Sequence, residues 1–356
     1  MEFSSIEHFY SLLCGKKIIV FGTGEMSKLI MAQPIEVAYF VDNNHNKWEQ
    51  YFYNRKINNP QKLSAEDRES IFIIVASMYI DEISQQLINM GFIENLHFID
   101  GDIIRNFDYY IERQEIKKCF KNKHAGKRAF IIGNGPSLRT SDLDKLKNEI
   151  CFASNKIYLA YDETDWRPTY YTVIDSKIAE NNAECIAKLN GTKFIPYKLK
   201  QFFNEEIEDV TWLHFLNNKK KDDALQGMST DIVKGVYGGY TVTYVMLQIA
   251  FYMGIKEIYL IGVDHNYIIP KSIDEVTIFG ETLLVNEGER NHFHPNYHHE
   301  SDKWTLPRLA DQERAYQTAK QVYEKHGGKI YNASRKTNLD VFELLDFDHI
   351  GTDAKE

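Results

Sequence analysis

The sequence predicts an α/β protein made of two Rossmann-like domains, each with a mostly parallel sheet. Three observations carry this expectation. Short apolar runs alternate with helix-compatible stretches along most of the chain, the order that builds parallel sheets. Two of those runs break into glycine turns, Gly22-Thr-Gly24 and Gly133-Asn-Gly-Pro-Ser137. With 356 residues the chain is long for one domain and natural for two.

The first domain reads over residues 1–107. Lys16–Phe21 is a strand ending at Gly22-Thr-Gly24, and Met26–Gln33 is helix-compatible. Val37–Val41 is a second strand leading into Asp42-Asn-Asn44, Ile71–Ala76 a third, and Asp81–Met90 an amphipathic helix before Gly91. Ser27 stands where the dinucleotide fingerprint has its third glycine, while Asp42 stands near the position of a ribose-binding acid. Gly22, Gly24 and Asp42 are thus candidate nucleotide ligands; a docking or oligomerisation module is the competing reading. Over residues 108–125, Tyr109, Tyr110, Ile111, Ile116 and Phe120 recur at helical spacing and predict a connecting helix.

The second domain reads over residues 126–356. Its strands are Ala129–Ile132, Ile150–Ala153, Tyr170–Ile174, Lys193–Pro196, Glu257–Ile261 and Lys329–Asn332. Thr241–Met253 is apolar on most faces and closed by Gly254, so Tyr244, Met246 and Tyr252 belong to a buried helix. The stretches 217–239 and 264–304 fit no regular element. The first holds Lys219-Lys220-Lys221, read as a solvated turn. The second holds His265, His292, His294, His298 and His299, and has the length of a lid.

Ligands of open α/β sheets bind beyond the carboxyl ends of the strands. There the sequence places Gly133–Ser137, then Ser154-Asn155-Lys156, Asp175-Ser176 and Asp264-His265-Asn266-Tyr267, with Gly239-Tyr240 before the buried helix. In the first of these, Gly133 and Gly135 would let the backbone approach a ligand. Free N–H groups at the start of the following helix would favour an anion such as a nucleotide phosphate. The pattern is neither G-x-G-x-x-G nor a Walker loop, and a tight turn without ligand is the alternative. Five ends bearing amides, hydroxyls, an acid and an imidazole read as a nucleotide site.

Composition narrows the classes. A hydrophobic share of 43% and a charged share of 26% suit a soluble globular chain. A net charge of −9 argues against a general nucleic-acid binder, though not against a local basic pocket. Cys14, Cys119, Cys151 and Cys185 are scattered without a C-x-x-C pair, which suits a reducing cytoplasm. No basic segment followed by an apolar core opens the chain, and no apolar run approaches the ~20 residues of a membrane span. The expectation is a cytoplasmic protein, with peripheral attachment to the inner face of a membrane left open. The histidine cluster could bind zinc, but no cysteine or closely spaced acid completes a tetrahedral set, so no metal is expected.

Gly-Asn-Gly-Pro-Ser-Leu138, a strand ending in Asn155, Gly239-Tyr240 before an apolar helix, and Gly254-Ile-Lys-Glu-Ile-Tyr-Leu-Ile-Gly-Val-Asp264 together resemble a known superfamily. Over residues 126–345 the chain is similar to the bacterial sialyltransferases of glycosyltransferase family 42. It is equally similar to the DUF115 group, which includes the motility accessory factors that glycosylate flagellin and the MptE-type 6-hydroxymethylpterin diphosphokinases. The first domain resembles the nucleotide-binding-like units attached to bacterial surface-sugar enzymes. The resemblance implies a GT-A-like, sialyltransferase-like variant of the fold. It implies transfer of a nonulosonic sugar from a CMP-sugar donor to a glycan, glycolipid or protein hydroxyl, without metal. The alternatives are an ATP-using diphosphokinase, with Mg²⁺ on Asp175 and Asp264, or a non-catalytic scaffold.

By position, the resemblance makes Asn134 and Asn155 donor ligands and Gly133, Gly135 and Ser137 the nucleotide loop, with Ser154 beside them. Asp175 falls near a family asparagine, Gly239 and Tyr240 match the segment that would lie against cytidine, and Asp264 would close the rim. Tyr267 or Tyr297 would bind the departing phosphate. The family's catalytic histidine falls near Ala310, where this chain has none. The base is therefore sought upstream, in His294 first, then His292 and His265. A homo-oligomer is a further expectation.

Overall fold

The computed structural model describes residues 5–77, 79–105, 107–203, 207–216, 227–270, 273–276, 282–299 and 302–351. The chain divides into two compact units, Met1–Glu115 and Ile116–Glu356. Both are mixed α/β with mostly parallel sheets. The Lys219–Lys221 run and the Tyr109 side chain lie outside what is described.

In the first unit the order is α1 (Ile6–Leu12), β1 (Lys17–Phe21), α2 (Glu25–Met31), β2 (Val37–Val41), β3 (Tyr51–Phe52) and β4 (Arg55–Asn58). There follow β5 (Ile71–Val75), α3 (Ile80–Asn89), β6 (Phe98–Asp100), α4 (Asp102–Arg105) and α5 (Phe107–Phe120), the helix in which the division falls. The sheet runs β3-β4-β2-β1-β5-β6, parallel except for the β3–β4 hairpin. Ile18 and Val20 pack on one face, Ile19 and Phe21 on the other. That split is the period of two expected of a strand buried on both sides.

The second unit opens with β7 (Arg128–Ile132), α6 (Thr140–Asp144), β8 (Ile150–Ser154), β9 (Tyr170–Thr172), α7 (Ser176–Ala187), β10 (Thr192–Pro196) and β11 (Val210–Leu213). It continues with α8 (Val242–Tyr252), β12 (Glu257–Ile261), β13 (Ile273–Val276), β14 (Thr282–Val285), β15 (Lys303–Thr305), α9 (Leu309–Lys325), β16 (Lys329–Asn332) and β17 (Glu343–Leu344). Eight strands form one sheet, β11-β10-β9-β8-β7-β12-β16-β17, parallel throughout. Ala129 and Ile131 of β7 face one core, Phe130 and Ile132 the other.

The chain leaves β7 toward β8 on one side and later returns through β12 on the other. The carboxyl end of β7 is thus a topological switch point, where such sheets open a crevice. Thr241 caps α8 by accepting from Thr243 N–H, and Gly254 ends it at φ +81°. Tyr244, Met246 and Tyr252 are buried, as their helix predicts.

Two sequence expectations change. The stretch 264–304 contains regular structure, an antiparallel sheet β13-β14-β15. The Gly133 turn does not enter a helix directly: α6 begins only at Thr140 and is five residues long. No helix among the described residues is long and apolar enough to cross a membrane.

Candidate functional site

The Gly133 turn is fastened to the end of β12 rather than left open. Gly133 N–H donates to Ile261 O and Gly135 N–H to Gly262 O, each at 2.8 Å. Ser137 N–H donates to Asp264 Oδ2 at 2.7 Å, and Ser137 Oγ to Asp264 Oδ1. The glycines are required by this close approach. A Cβ at Gly133 would stand 2.2 Å from Gly262 O, and one at Gly135 2.6 Å from Asp264 Cγ. The amides of Gly133, Gly135 and Ser137, expected to face an anion, are therefore already bonded. Burial raises the Asp264 carboxyl above its ordinary range, against the pull of the Ser137 bonds. Gly133, Gly135, Ser137 and Asp264 build the floor of the site.

On that floor sit two asparagines with unfinished bonding. Asn134 Nδ2 donates to Ser154 O at 3.1 Å and to Ser154 Oγ at 3.3 Å, so Ser154 fixes the amide. Its Oδ1 is buried and has no partner. Asn155 holds φ at +52°, a left-handed conformation asparagine tolerates. Its carbonyl accepts from Tyr171 OH at 2.8 Å, while its Oδ1 is again buried without a partner. The Tyr297 hydroxyl is a third buried atom outside hydrogen-bond geometry, although the Asn155 side chain stands close enough to act against the rise in pKa that burial causes there. All three residues line one recess of about 80 Å³, with Gly133, Gly135, Asp264, His265, Tyr267 and His292. A buried polar atom left unpaired costs roughly 1–3 kcal/mol, so three around one recess mark a place built for a polar ligand.

The recess adjoins a larger cleft of about 970 Å³, which shares Asn155, Thr241, Tyr267, His292, Tyr297 and Gln312 with it. One wall is a chain of rings. His292 stacks on Tyr297 at 3.7 Å, His298 lies 5.0 Å from His292, and Trp304 lies 6.0 Å from His298 and 6.2 Å from Tyr267. Opposite, Gly239 and Tyr240 are both left-handed, at φ +56° and +58°. A Cβ at Gly239 would strike the Tyr244 ring at 2.2 Å, so only glycine fits. Gln312 Nε2 holds the Tyr240 carbonyl at 2.9 Å, and the Arg308 guanidinium covers its ring at 4.1 Å. Lys156, Lys177, Lys198, Lys303 and Arg308 line this cleft against Asp175 and Asp302. In a chain of net charge −9 that is a local reversal of sign.

The histidines separate by position. His292 and His298 line the larger cleft. Burial, then the neighbouring imidazole and Lys156, hold His292 well below the ordinary histidine range. Burial and Lys156 bring His298 down to about 4, against the pull of Asp302, Asp175 and Glu289. His265, at φ +50°, lines the recess with its Nε2 3.1 Å from Glu313 Oε1. His294, the first choice from sequence, lines neither cavity, and its Nδ1 accepts from Asn296 N–H at 3.1 Å. Burial pushes the phenols of Tyr267 and Tyr297 upward, so both remain donors.

Asp175 caps α7 by accepting from Ile178 N–H at 2.9 Å, and its Oδ2 accepts from Thr305 Oγ1 at 2.5 Å, which ties β15 to α7. Asp264 is likewise bonded to Ser137, so both carboxylates accept hydrogen bonds from the protein. Among the described residues no group of three or more His, Cys, Asp or Glu could hold a metal ion. Lys156, Trp304, Arg308 and Gln312 join the site without having been assigned a role from sequence, and His298 joins it from the histidine stretch in which the base was sought. The spacing of Gln312 and Tyr316, one turn apart on α9, was the available signal for the helix that braces Tyr240 and Thr241.

The first unit's glycine turn is packed at Gly22 and open at Gly24, where nothing lies within 4 Å of an added Cβ. A Cβ at Gly22 would stand 2.6 Å from Ala76 O, and Gly24 precedes α2 without a side-chain cap. Asp42 Oδ2 accepts from Thr23 Oγ1 at 2.5 Å and Lys47 Nζ at 3.0 Å, and Oδ1 from Asn44 N–H at 2.9 Å. Burial pushes this carboxyl up, but those bonds outweigh it and its pKa is lowered. The acid expected to meet a ribose is spent on its own loop.

Residues 102–269 match the family described as 6-hydroxymethylpterin diphosphokinase MptE-like, which shows the likeness read from the Gly-Asn-Gly-Pro-Ser motif. Residues 14–97 match the family described as C2185-like, N-terminal. Among solved structures, the MAf glycosyltransferase of Magnetospirillum magneticum AMB-1 is similar at 14% identity and a TM-score of 0.39. That match covers 95% of this chain and 59% of the other, so this chain spans less than two thirds of that protein. The sialyltransferase CstII of Campylobacter jejuni, solved with cytidine-5'-monophosphate, is similar at 15% identity and a TM-score of 0.35, over 62% of this chain and 85% of the other. No curated protein matches.

Proposed function

We propose that the second unit is a transferase that takes a nonulosonic sugar from a CMP-sugar and places it on a hydroxyl of a surface glycan, glycolipid or protein. The observation that carries this reading is the set of unpaired buried atoms, Asn134 Oδ1, Asn155 Oδ1 and Tyr297 OH, around one recess. Amide oxygens there would accept from sugar hydroxyls or a cytosine amine, and a tyrosine hydroxyl would donate to a phosphate oxygen. The cationic lining of the adjoining cleft favours an anionic phosphate and sugar carboxylate.

In this reaction the bond from the anomeric carbon to the phosphate oxygen breaks, and CMP leaves with the electron pair. The sugar passes through an oxocarbenium-like state, and the acceptor oxygen bonds to it as its proton moves to an imidazole. His292 and His298 take that role in place of His294 because they line the cleft; their lowered proton affinity makes each a weaker base than an ordinary histidine. Tyr267 and Tyr297 donate to the departing phosphate. A single phosphate leaving group needs no metal in this scheme.

The family match favours one second reading, pyrophosphate transfer from ATP. It requires Mg²⁺ held by carboxylates, for which Asp175 and Asp264 are the candidates; both also accept hydrogen bonds from the protein. Turnover separates the two. We expect CMP release from a CMP-sugar in the presence of a chelator. AMP release from ATP that depends on Mg²⁺, with no CMP-sugar turnover, would overturn the first reading.

A further inference from the structure

The recess and the cleft offer a ligand different chemistry. Among the described residues four lysines and Arg308 line the cleft, whereas no lysine or arginine lines the recess. The recess instead holds two buried acceptors outside any hydrogen bond, Asn134 Oδ1 and Asn155 Oδ1. A phosphate or carboxylate belongs with the cations, and an uncharged group that donates hydrogen bonds belongs in the recess. His265 lines the recess but not the cleft, which sets it apart from His292 and His298. Its Nε2 lies 3.1 Å from Oε1 of Glu313 on α9, the imidazole buried and the carboxylate half-exposed. From the next turn of α9 the Tyr316 ring meets the imidazole edge-on at 6.3 Å. The backbone at His265 is left-handed, and the turn before it is clamped: Asn338 N–H donates to Asp264 O at 2.8 Å, and Thr337 Oγ1 to Val263 O at 2.9 Å.

We propose that His265 is a specificity-determining residue whose Nδ1 accepts from a ribose hydroxyl of the bound nucleotide, and that Glu313 is the positioning residue that fixes the tautomer able to do so. A carboxylate accepts and cannot donate. In the neutral imidazole the proton therefore sits on Nε2, facing Glu313, and Nδ1 keeps its lone pair. That makes a third acceptor at a recess that already holds two, and a ribose brings the hydroxyl donors such a set requires. The recess lies beyond the paired ends of β7 and β12, the switch point at which open sheets take nucleotides. A left-handed backbone costs energy at a histidine, and strain of that kind concentrates at ligand sites.

The proposal rests on the nucleotide site of the reading above, but ribose is common to CMP and ATP, so the two can fail separately. Calorimetric titration of the full chain with CMP, 2′-deoxy-CMP and 3′-deoxy-CMP, and with ATP and its two deoxy analogues, tests it. One deoxy form should bind about tenfold or more weaker than its ribonucleotide, because it leaves Nδ1 of a buried ring without a donor. His265→Ala should erase that ratio. Glu313→Lys should erase it too, since an ammonium donates to Nε2 and moves the imidazole proton to Nδ1. Glu313→Gln, whose amide oxygen still accepts from Nε2–H, should keep it. A ratio between two nucleotides of equal charge is unmoved by the added lysine or by general loosening. Long-range proton–nitrogen NMR correlation reads the tautomer with no ligand present: Nε2–H in the wild type and Glu313→Gln, Nδ1–H in Glu313→Lys. Equal binding of ribo and deoxy forms, a ratio that survives His265→Ala, or Nδ1–H in the wild type would each overturn the proposal. CMP that binds without discrimination sinks the dyad and leaves the transferase reading standing. Discrimination with ATP alone, and no CMP binding, does the reverse.

Discussion

The two glycine turns of this chain begin alike and end differently. Each follows a buried central strand, and each has an aspartate close by. In the first unit Asp42 accepts from Thr23, Asn44 and Lys47, and neither Thr23 nor Asp42 is among the buried side chains left with an unpaired nitrogen or oxygen. In the second, Asp264 is likewise consumed by Ser137, but Asn134 and Asn155 beside it keep unpaired buried oxygens. Gly22, Gly133 and Gly135 serve close approach, while Gly24 has open space beside it. The mark of a ligand site is therefore the unfinished hydrogen bonding around the turn, and the turn alone does not supply it.

Catalysis offers the largest effect by which to test that contrast. Replacing both His292 and His298 by alanine should lower CMP-sugar turnover by roughly 10²–10⁴-fold, measured by CMP release, while His294→Ala should leave it near wild type. Next in size is nucleotide affinity. Asn134→Ala or Asn155→Ala should weaken CMP binding by about tenfold or more, as loss of a buried hydrogen bond at a charged ligand would.

Acid stability comes third, with its sign set by His298. Its folded pKa of about 4 lies below the ordinary 6.5, so between those values the unfolded chain binds more protons. The protein should lose stability as pH falls from about 6.5 to 4, and His298→Gln should flatten that decline in denaturant titrations. The smallest effect belongs to the first unit. Asp42→Asn should cost about 1 kcal/mol of stability and leave CMP affinity unchanged. A large loss of affinity there would erase the contrast.

Much of the architecture was legible because the central strands are buried on both faces and read as apolar runs, as in Phe130–Ile132 or Ile71–Val75. The elements that escaped are short or sit at edges. β3 (Tyr51–Phe52) and β17 (Glu343–Leu344) are two residues each, too short for a period of two to show. Asn134 and Asn155 were legible as part of the rim from their place after strands, while their role as donor ligands came from the resemblance. The bonding of Ser137 to Asp264 was not, since the two lie far apart in sequence and meet only once β7 and β12 pair. The same holds for the tie between Asp175 and Thr305, and for Lys156 reaching Tyr297. The choice among histidines needed the loop in three dimensions: His292 and His294 differ by two residues, yet only the first lines the cleft.

Calorimetric titration of CMP into the full chain, its Asn134→Ala variant and its Asp42→Asn variant tests the central claim most directly. The account predicts one site per chain, weakened about tenfold or more by Asn134→Ala and untouched by Asp42→Asn. Binding that survives Asn134→Ala and disappears in Asp42→Asn would contradict it.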